Sequence, residues 1–516
     1  MKKKIFRSVS VIAAATLLSR ILGFVRDMLI ARYFGTGRVL DGFFVAFRIP
    51  NLFRRLVAEG SLTISFVPVY TEYLHLHGKE DALRFAQKSL TLLIIVLFDI
   101  TGAGMVFSPA LVSLFGVGFT DEFLISKTVM LNRIMFPYLF FIGIVAFCMG
   151  FLHSGRHFFA PAFSPVLLNV GFIAGAIFLK DFFAFELTGL AVGVVVGGLL
   201  QLLLQIPYML RHGFVLRWSF DLNHPGIRKM VAMVGAAMAG GAVYQLNLLV
   251  NTMLASMLPG GSISYLYYSD RLTEMVMGIF IISIGNVMLP ELSTFAAKND
   301  IVSLKRAFRD SISASLFFAL PAACGLILCG REILTVLFMR GAFDEVSVTN
   351  TYRALVYASA GLAFLAMYKM CTQIFYSLKD TRTPVFTAAA SFTVNAALEY
   401  TLMQTPLLHA GLALSNAVAM GLQVILLLVL LRGKIGLLGF RRLVVPVIRI
   451  AAAAAVMSAS LYGLKQHLRF EDVPFAVQAV NLLLLVGGGG AAYVVTALLL
   501  GVREVRVFSV FLRRAG

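Results

Sequence analysis

Charged residues are scarce in this chain of 516 residues: 13% are Asp, Glu, Lys or Arg, whereas 59% are hydrophobic and the mean hydropathy is +0.88. This composition excludes a soluble globular protein of such length. No long polar stretch separates the apolar segments, so no independent soluble domain is predicted either. The chain is expected to be one all-α integral membrane unit, because helices satisfy their own backbone hydrogen bonds in lipid.

Side chains that bind metals or catalyse reactions are also few. The four cysteines, Cys148, Cys324, Cys329 and Cys371, lie in apolar segments without the spacing of metal ligands. The eight histidines fall in or near predicted loops, again without ligand spacing. We therefore predict no disulfide, no catalytic site and no cofactor.

Acidic residues are the scarcer charge, with 25 Asp and Glu against 44 Lys and Arg, a formal net charge of +19. Most basic residues lie in short loops between apolar runs, where they orient helices and meet anionic membrane lipids. This distribution argues against nucleic acid as a partner.

About fourteen apolar segments reach the length of roughly 20 residues that a membrane-spanning helix needs. The first contains Ala13–Ala15, which is similar to a signal-peptide cleavage site, but the helical pattern continues to Tyr33. We expect an uncleaved first span. The predicted spans are residues 6–33, 40–72, 87–115, 128–152, 159–179, 186–210, 229–257, 264–296, 309–338, 351–377, 383–403, 409–431, 443–464 and 475–500.

The basic residues of the loops sort to one side of the membrane. With the N-terminus in the cytoplasm, 26 Lys and Arg fall on the cytoplasmic side and 6 on the other. This bias predicts an even number of spans with both termini in the cytoplasm.

A weak internal repeat divides the chain. GLAVGVVVGGLLQ from Gly189 resembles GLALSNAVAMGLQ from Gly411, an offset of 222, and Arg48 precedes Arg271 by 223. The offset covers six spans, which predicts two six-helix lobes in a parallel pseudo-twofold repeat about the membrane normal. The predicted parts are a first lobe at 1–210, a cytoplasmic linker at 211–228, a second lobe at 229–432 and two extra helices at 433–516.

Ionisable side chains lie inside the first, second and eighth predicted spans. Charges at bilayer depth are costly, so they usually face a protein-lined interior and mark a transport pathway. Arginine stays charged and binds carboxylate or phosphate oxygens through two hydrogen bonds, so an anionic substrate is predicted. These residues are Arg20, Arg26, Asp27, Asp41, Arg48, Arg54, Arg55, Glu59, Asp270, Arg271 and Glu274.

Structural roles for some of these charges stay open. Arg54 and Arg55 are close enough to a helix end to extend to lipid headgroups. Asp270 and Arg271 also fit an ion pair that holds two helices together. Arg26, at mid-helix depth, has no short route to the interface.

Three segments of the chain resemble the MurJ (MviN) family of lipid II flippases. They are SRILGFVRDMLIARYFGTG, the following DGFFVAFRIPNLFRRLVAEGSLTISFVPVYTEY and the later YYSDRLTEMVMGIF. The resemblance covers the whole length. It implies the fold of the multidrug/oligosaccharidyl-lipid/polysaccharide exporter superfamily, with six, six and two spans. It also implies that the protein, as a monomer, flips lipid II, the undecaprenyl-diphosphate-linked peptidoglycan precursor, outward across the bacterial inner membrane by alternating access.

The resemblance further implies roles for single residues. Arg20, Arg26, Arg54 and Arg271 match the family's cavity arginines, which would hold the diphosphate. Arg48 stands where some relatives carry lysine. Supporting or gating roles are expected for Asp27, Asp41, Arg48, Glu59, Asp270 and Glu274.

A second group of polar residues suggests energy coupling. Asn395 and Glu399 are four residues apart on one helix and present oxygens on one face, as a Na⁺ or proton site requires. Asn251 and Ser415 are possible additional ligands, inferred from a sodium site in similar proteins. Glu399 stands where that site is expected to have an aspartate. Alternatively, Glu399 faces water at the helix end, and the membrane potential alone drives transport.

The two extra helices are candidates for an apolar groove that holds the polyprenyl tail, although the glycines of Gly487–Gly490 are equally typical of close helix packing. The main functional alternative is a polysaccharide or O-antigen lipid flippase of the same superfamily. An exporter of cationic drugs would need acidic walls, and an enzyme acting on polyprenyl phosphates would need a catalytic cluster; the sequence favours neither.

Overall fold

The computed structural model describes residues 2–57, 61–220, 223–471 and 473–505, and these residues form helices and loops without any strand. The chain divides into two compact units, Met1–Gly261 and Ser262–Gly516. The predicted all-α membrane fold is therefore confirmed.

The α-helices of the first unit pack both with sequence neighbours, as α8 does with α9, and with helices distant in sequence, as α8 does with α1 and α2 does with α6. A π-helical segment, Gly175–Leu179, follows α8 directly. The helices are α1 (Lys2–Phe34), α2 (Arg38–Val57), α3 (Ser61–Leu76), α4 (Gly78–Val106), α5 (Ser108–Phe115), α6 (Glu122–Met135), α7 (Pro137–Ser154), α8 (Phe159–Ala174), α9 (Leu187–Arg211) and α10 (Pro225–Ser256).

The second unit is organised around α13, which packs against α14, α15 and α18. A π-helical segment, Met277–Ile281, joins its first two α-helices. The helices are α11 (Ser262–Val276), α12 (Ile282–Ala297), α13 (Ile301–Phe338), α14 (Glu345–Ala360), α15 (Leu362–Ser377), α16 (Arg382–Leu402), α17 (His409–Ile435), α18 (Arg441–His467) and α19 (Phe475–Leu499).

Several predicted spans differ from the helices in detail. The span predicted at 40–72 corresponds to two helices, α2 and α3, and the one at 87–115 breaks at Phe107 between α4 and α5. The linker predicted at 211–228 includes the first turn of α10, which packs against α2 and α3 within the first unit. The division into repeated lobes remains a prediction.

Membrane-crossing helices are evident by length and composition. In the described ranges, eight helices are long and apolar enough to span a bilayer, or nine if α14 and α15, bent by 42° relative to each other, form one span. Helices α1, α2 and α11, which carry the charges of the candidate site, are not among them, and α11 has only 15 residues. The total of fourteen spans is consistent with this and stays a prediction.

Glycine brings α8 and α9 unusually close together. A Cβ added to Gly171 would lie 2.5 Å from the carbonyl oxygen of Gly193, and one added to Gly193 would lie equally close to the oxygen of Gly171. Small residues permit such backbone contact, which drives helix association in lipid through dispersion forces. This contact fixes α8, the helix that carries the buried Asn169.

The hairpin of α18 and α19 docks on α13 through a buried apolar cluster that includes Phe317, Ile450 and Leu485. The Tyr493 hydroxyl donates a hydrogen bond of 2.7 Å to the Phe317 carbonyl. The opposite faces of the hairpin expose large apolar side chains, with Leu483 72% exposed. Such a surface suits lipid, not water.

Candidate functional site

The guanidinium of Arg26 on α1 is largely enclosed. Its Nε and Nη2 donate to Asp27 Oδ1 at 2.9 and 2.8 Å, and its Nη1 donates to Asn169 Oδ1 at 3.1 Å. The Arg26 and Asp27 side chains are only 12% and 3% exposed. The ring centroid of Phe172 lies 4.8 Å from the guanidinium carbon, which adds a cation–π contact.

Asn169 fixes this arrangement because it also bonds to the backbone of α1. Its Nδ2 donates to the Ser19 carbonyl at 2.9 Å, while its Oδ1 accepts from Arg26. One amide therefore ties α8 to α1 and orients the arginine at the same time. We call Arg26, Asp27 and Asn169 the Arg26 cluster.

Two arginines of α2 are held by neutral oxygens. Arg48 Nη1 donates to the Thr252 hydroxyl of α10 at 2.7 Å, and Arg54 Nε donates to Asn51 Oδ1 at 2.7 Å. These hydrogen bonds orient both guanidinium groups. The predicted site residue Arg20, on α1, is exposed. The predicted supporting residue Glu59 lies outside the described residues.

Asp41 has a structural contact at the start of α2. Its Oδ2 accepts a hydrogen bond of 2.6 Å from the Gly261 amide, and its side chain is buried. It borders a small cavity together with Arg38 and Asp121. The carboxylate thus fixes the loop after α10 to α2.

The charged group of α11 belongs to the second unit. Arg271 Nη1 pairs with Glu274 Oε2 at 2.8 Å, and Nη2 contacts the Tyr267 hydroxyl at 3.1 Å. The guanidinium is one-third exposed, and Asp270 and Glu274 are exposed. Arg271 is therefore oriented by its own helix and accessible at the same time.

The coupling residues predicted on α16 are deeply buried. Asn395 Nδ2 donates to Glu399 Oε1 at 2.9 Å, and Glu399 is 0% exposed. Asn395 Oδ1 is buried and has no hydrogen-bond partner in the described part of the chain. Ser415 is buried on the adjacent α17, where its hydroxyl donates to the Gly411 carbonyl, whereas Asn251 belongs to α10 of the first unit.

The sequence pattern did not identify three residues that orient the candidate arginines. Asn169 is 143 positions from Arg26 and Thr252 is 204 positions from Arg48, so neither spacing signals contact. Tyr267 was predictable in principle, because it lies one helical turn before Arg271.

The family model described as lipid II flippase MurJ matches residues 30–477. The chain belongs to the MurJ family. A relative from Vibrio cholerae, named a probable lipid II flippase MurJ, is 36% identical over 516 residues, covering 98% of this chain and 97% of the relative. One from Haemophilus influenzae with the same name is 35% identical, covering 95% and 98%.

Solved structures agree on the fold. A structure titled lipid II flippase MurJ, inward closed conformation, aligns with a TM-score of 0.78 at 24% identity, covering 94% of this chain and 97% of that one. An inward-facing multidrug resistance transporter of the MATE family aligns with a TM-score of 0.69 at 15% identity, covering 83% and 98%. Membership in the MurJ family confirms the prediction of a multi-pass membrane transporter rather than an enzyme.

Proposed function

We propose that this protein moves lipid II from the cytoplasmic to the outer leaflet of the bacterial cytoplasmic membrane. The observation that carries this proposal is the Arg26 cluster, a buried and oriented guanidinium inside a membrane helix of a MurJ-family chain. Relatives that share more than a third of their residues with this chain over nearly its whole length are named probable lipid II flippases, which supports the same substrate.

The anionic headgroup is the part of lipid II that the arginines recognise. Arg26 and Arg271 each keep donor groups in a fixed orientation, and Arg20 and Arg54 add positive charge. A diphosphate offers oxygens that match the planar guanidinium fork. Binding of these oxygens neutralises the repulsion between the arginines, which lets the cavity close on one side and reopen on the other.

The polyprenyl tail needs an apolar path. We assign it to the exposed face of the α18–α19 hairpin. A Cβ added to Gly487 or Gly490 would meet no atom within 4 Å, whereas one added to Gly489 would lie 2.4 Å from Leu461 of α18. Gly487 and Gly490 therefore leave open surface on α19, whereas Gly489 allows α19 to pack closely against α18.

Energy coupling is assigned to the pair on α16. Asn395 Oδ1 and the Glu399 carboxylate are buried oxygen donors, which suits Na⁺ or a proton. When bound, Na⁺ would compensate the buried negative charge, with Ser415 of the adjacent α17 as a further candidate ligand. The asymmetry of 26 against 6 basic residues supports cytoplasmic termini, and we expect a monomer.

Translocation of fluorescent lipid II in proteoliposomes, followed with an impermeant quencher, tests this function. We expect transport by the wild type and its loss in Arg26→Ala and Arg271→Ala, while both variants still insert into the membrane. Arg133→Ala, an exposed arginine that donates to a backbone carbonyl, is the control. Full transport by either cavity variant would refute the arginine assignment. A wild type that transports lipid-linked O-antigen instead of lipid II would refute the substrate.

A further inference from the structure

Lys369 is an isolated cation inside the membrane part of the second unit. It lies on α15 within the apolar run LAFLAMYKMCTQIF and is partly buried. Within the described residues, its ammonium has no hydrogen bond and no carboxylate partner, and it lies 5.9 Å from the ring centroid of the adjacent Tyr368. An ion at this depth without a counter-charge is costly.

Gln373 lies one helical turn further on the same face of α15. Its Oε1 is buried and without a hydrogen-bond partner in the described chain. The side chain packs over Gly285 of α12, where an added Cβ would lie 3.5 Å from Nε2. Two polar groups four residues apart are thus both unsatisfied, although one helix face brings them together.

Neither lipid headgroups nor packing account for this pair. Lys369 is eight residues from Ser377, about 12 Å along the helix, which exceeds the reach of a lysine side chain. Unsatisfied buried polar groups destabilise a fold, and they persist where a ligand uses them. α15 also packs against the π-helical segment Met277–Ile281, which continues the helix of Arg271.

We propose that Lys369 and Gln373 bind the headgroup of the transported lipid. The ammonium binds its anionic oxygens, and Gln373 Oε1, an acceptor without a partner in the described chain, accepts a hydrogen bond from an O–H or N–H group of the same headgroup. Both the diphosphate and the peptide carboxylates carry this chemistry. The inference rests on the proposed function and adds a contact of α15 to that of Arg271.

The test compares binding of two lipids to the full chain in nanodiscs: lipid II, and undecaprenyl diphosphate, which lacks sugars and peptide. We expect Lys369→Met to bind lipid II about tenfold more weakly, the loss typical of one charge-assisted hydrogen bond. Lys369→Arg keeps the charge and should bind within about threefold of wild type. Lys298→Met, at an exposed loop lysine, is the matched control.

Thermal stability without lipid separates binding from structure. Because Lys369→Met removes an unpaired charge, its melting temperature should equal or exceed that of the wild type, while the stabilisation on adding lipid II should fall. Equal weakening with both lipids identifies the diphosphate as the ligand. Weakening with lipid II alone identifies the peptide carboxylates.

Three results would overturn the inference. Unchanged binding of both lipids by Lys369→Met, together with loss of binding by Arg26→Ala, removes Lys369 from the site and leaves the proposed function intact. A lower melting temperature of the lipid-free variant, not restored in Lys369→Arg, means a structural role. A wild type that binds neither lipid refutes the proposed function and this inference with it.

Discussion

At the scale of single residues, orientation distinguishes the candidate arginines. Arg26 is held by a carboxylate of its own helix and an amide of α8, so its guanidinium has little rotational freedom left to lose on binding. Arg271 keeps one-third of its side chain exposed, and Tyr267 and Glu274, which contact it, belong to its own helix α11. We infer that Arg26 is the more pre-organised of the two.

Removal of the Asn169 amide tests this interpretation. Asn169→Ala should raise the lipid II concentration for half-maximal transport about tenfold, because a hydrogen bond to a charged group is lost. Asn132→Ala is the control, since that buried amide bonds to the Ala46 carbonyl and the Ser108 hydroxyl without an arginine. Equal effects of both variants, measured per folded molecule in proteoliposomes, would mean that Asn169 acts only in packing.

At the scale of helices, capping residues lock α16 to the end of α17. Asp380 Oδ1 accepts from the Thr383 amide at 3.0 Å, and Oδ2 accepts from the Thr383 hydroxyl at 2.6 Å and from Lys434. Burial raises the pKa of Asp380, but the hydrogen bonds from Lys434 and Thr383 outweigh it and hold this pKa well below its usual range. The ionised carboxylate is therefore the form that stabilises the helix pair.

This arrangement predicts a pH-dependent contribution to stability. Because folding lowers the pKa, the contribution is complete above the unfolded value of about 3.9 and is lost as pH falls toward the folded one. Asp380→Asn should cost about 1 kcal/mol at pH 7, because asparagine still caps the helix but loses the ionic hydrogen bond to Lys434, and less below pH 4. Melting curves at pH 7 and below pH 4 measure this loss of stability, and Asp81→Asn, at a half-exposed side chain, is the control. A loss that does not change with pH would contradict a stabilising role of the ionised Asp380.

At the scale of the whole molecule, lipid II transport moves charge. Carrying about two negative charges outward is favoured by roughly 4–5 kcal/mol per 100 mV, inside negative. The buried Glu399 allows an alternative, in which an ion gradient supplies this energy. The two sources predict different responses to the membrane potential.

Vesicles with imposed potassium gradients and valinomycin separate these sources. If the potential drives transport, outward movement of lipid II should be faster at inside-negative than at inside-positive potential, and Glu399→Gln should keep that dependence. If Na⁺ binding at Asn395 and Glu399 drives it, removal of Na⁺ should slow the wild type but not Glu399→Gln. Equal rates under every gradient would exclude both mechanisms.

Helix identity was largely predictable, and helix interruptions were not. Long apolar runs predict α9, α17 and α19 because a bilayer requires about 20 apolar residues in a helix. The break between α4 and α5 at Phe107 has a local signal in Pro109, which lies in the first turn of α5, but the apolar run continues through it and hydropathy predicts one span. The bend between α14 and α15 has only Gly361 as a local signal.

The sequence by itself determined the membrane class, the family and the arginines that mark the candidate site, because hydropathy and intramembrane charge are local properties of the chain. Only the tertiary structure decided the partners of those charges. Asn169 and Thr252 reach Arg26 and Arg48 through helix packing, which joins residues more than a hundred positions apart. Among the residues that the structure describes, the same packing leaves Lys369 without a counter-charge, a property of its surroundings that no local pattern contains.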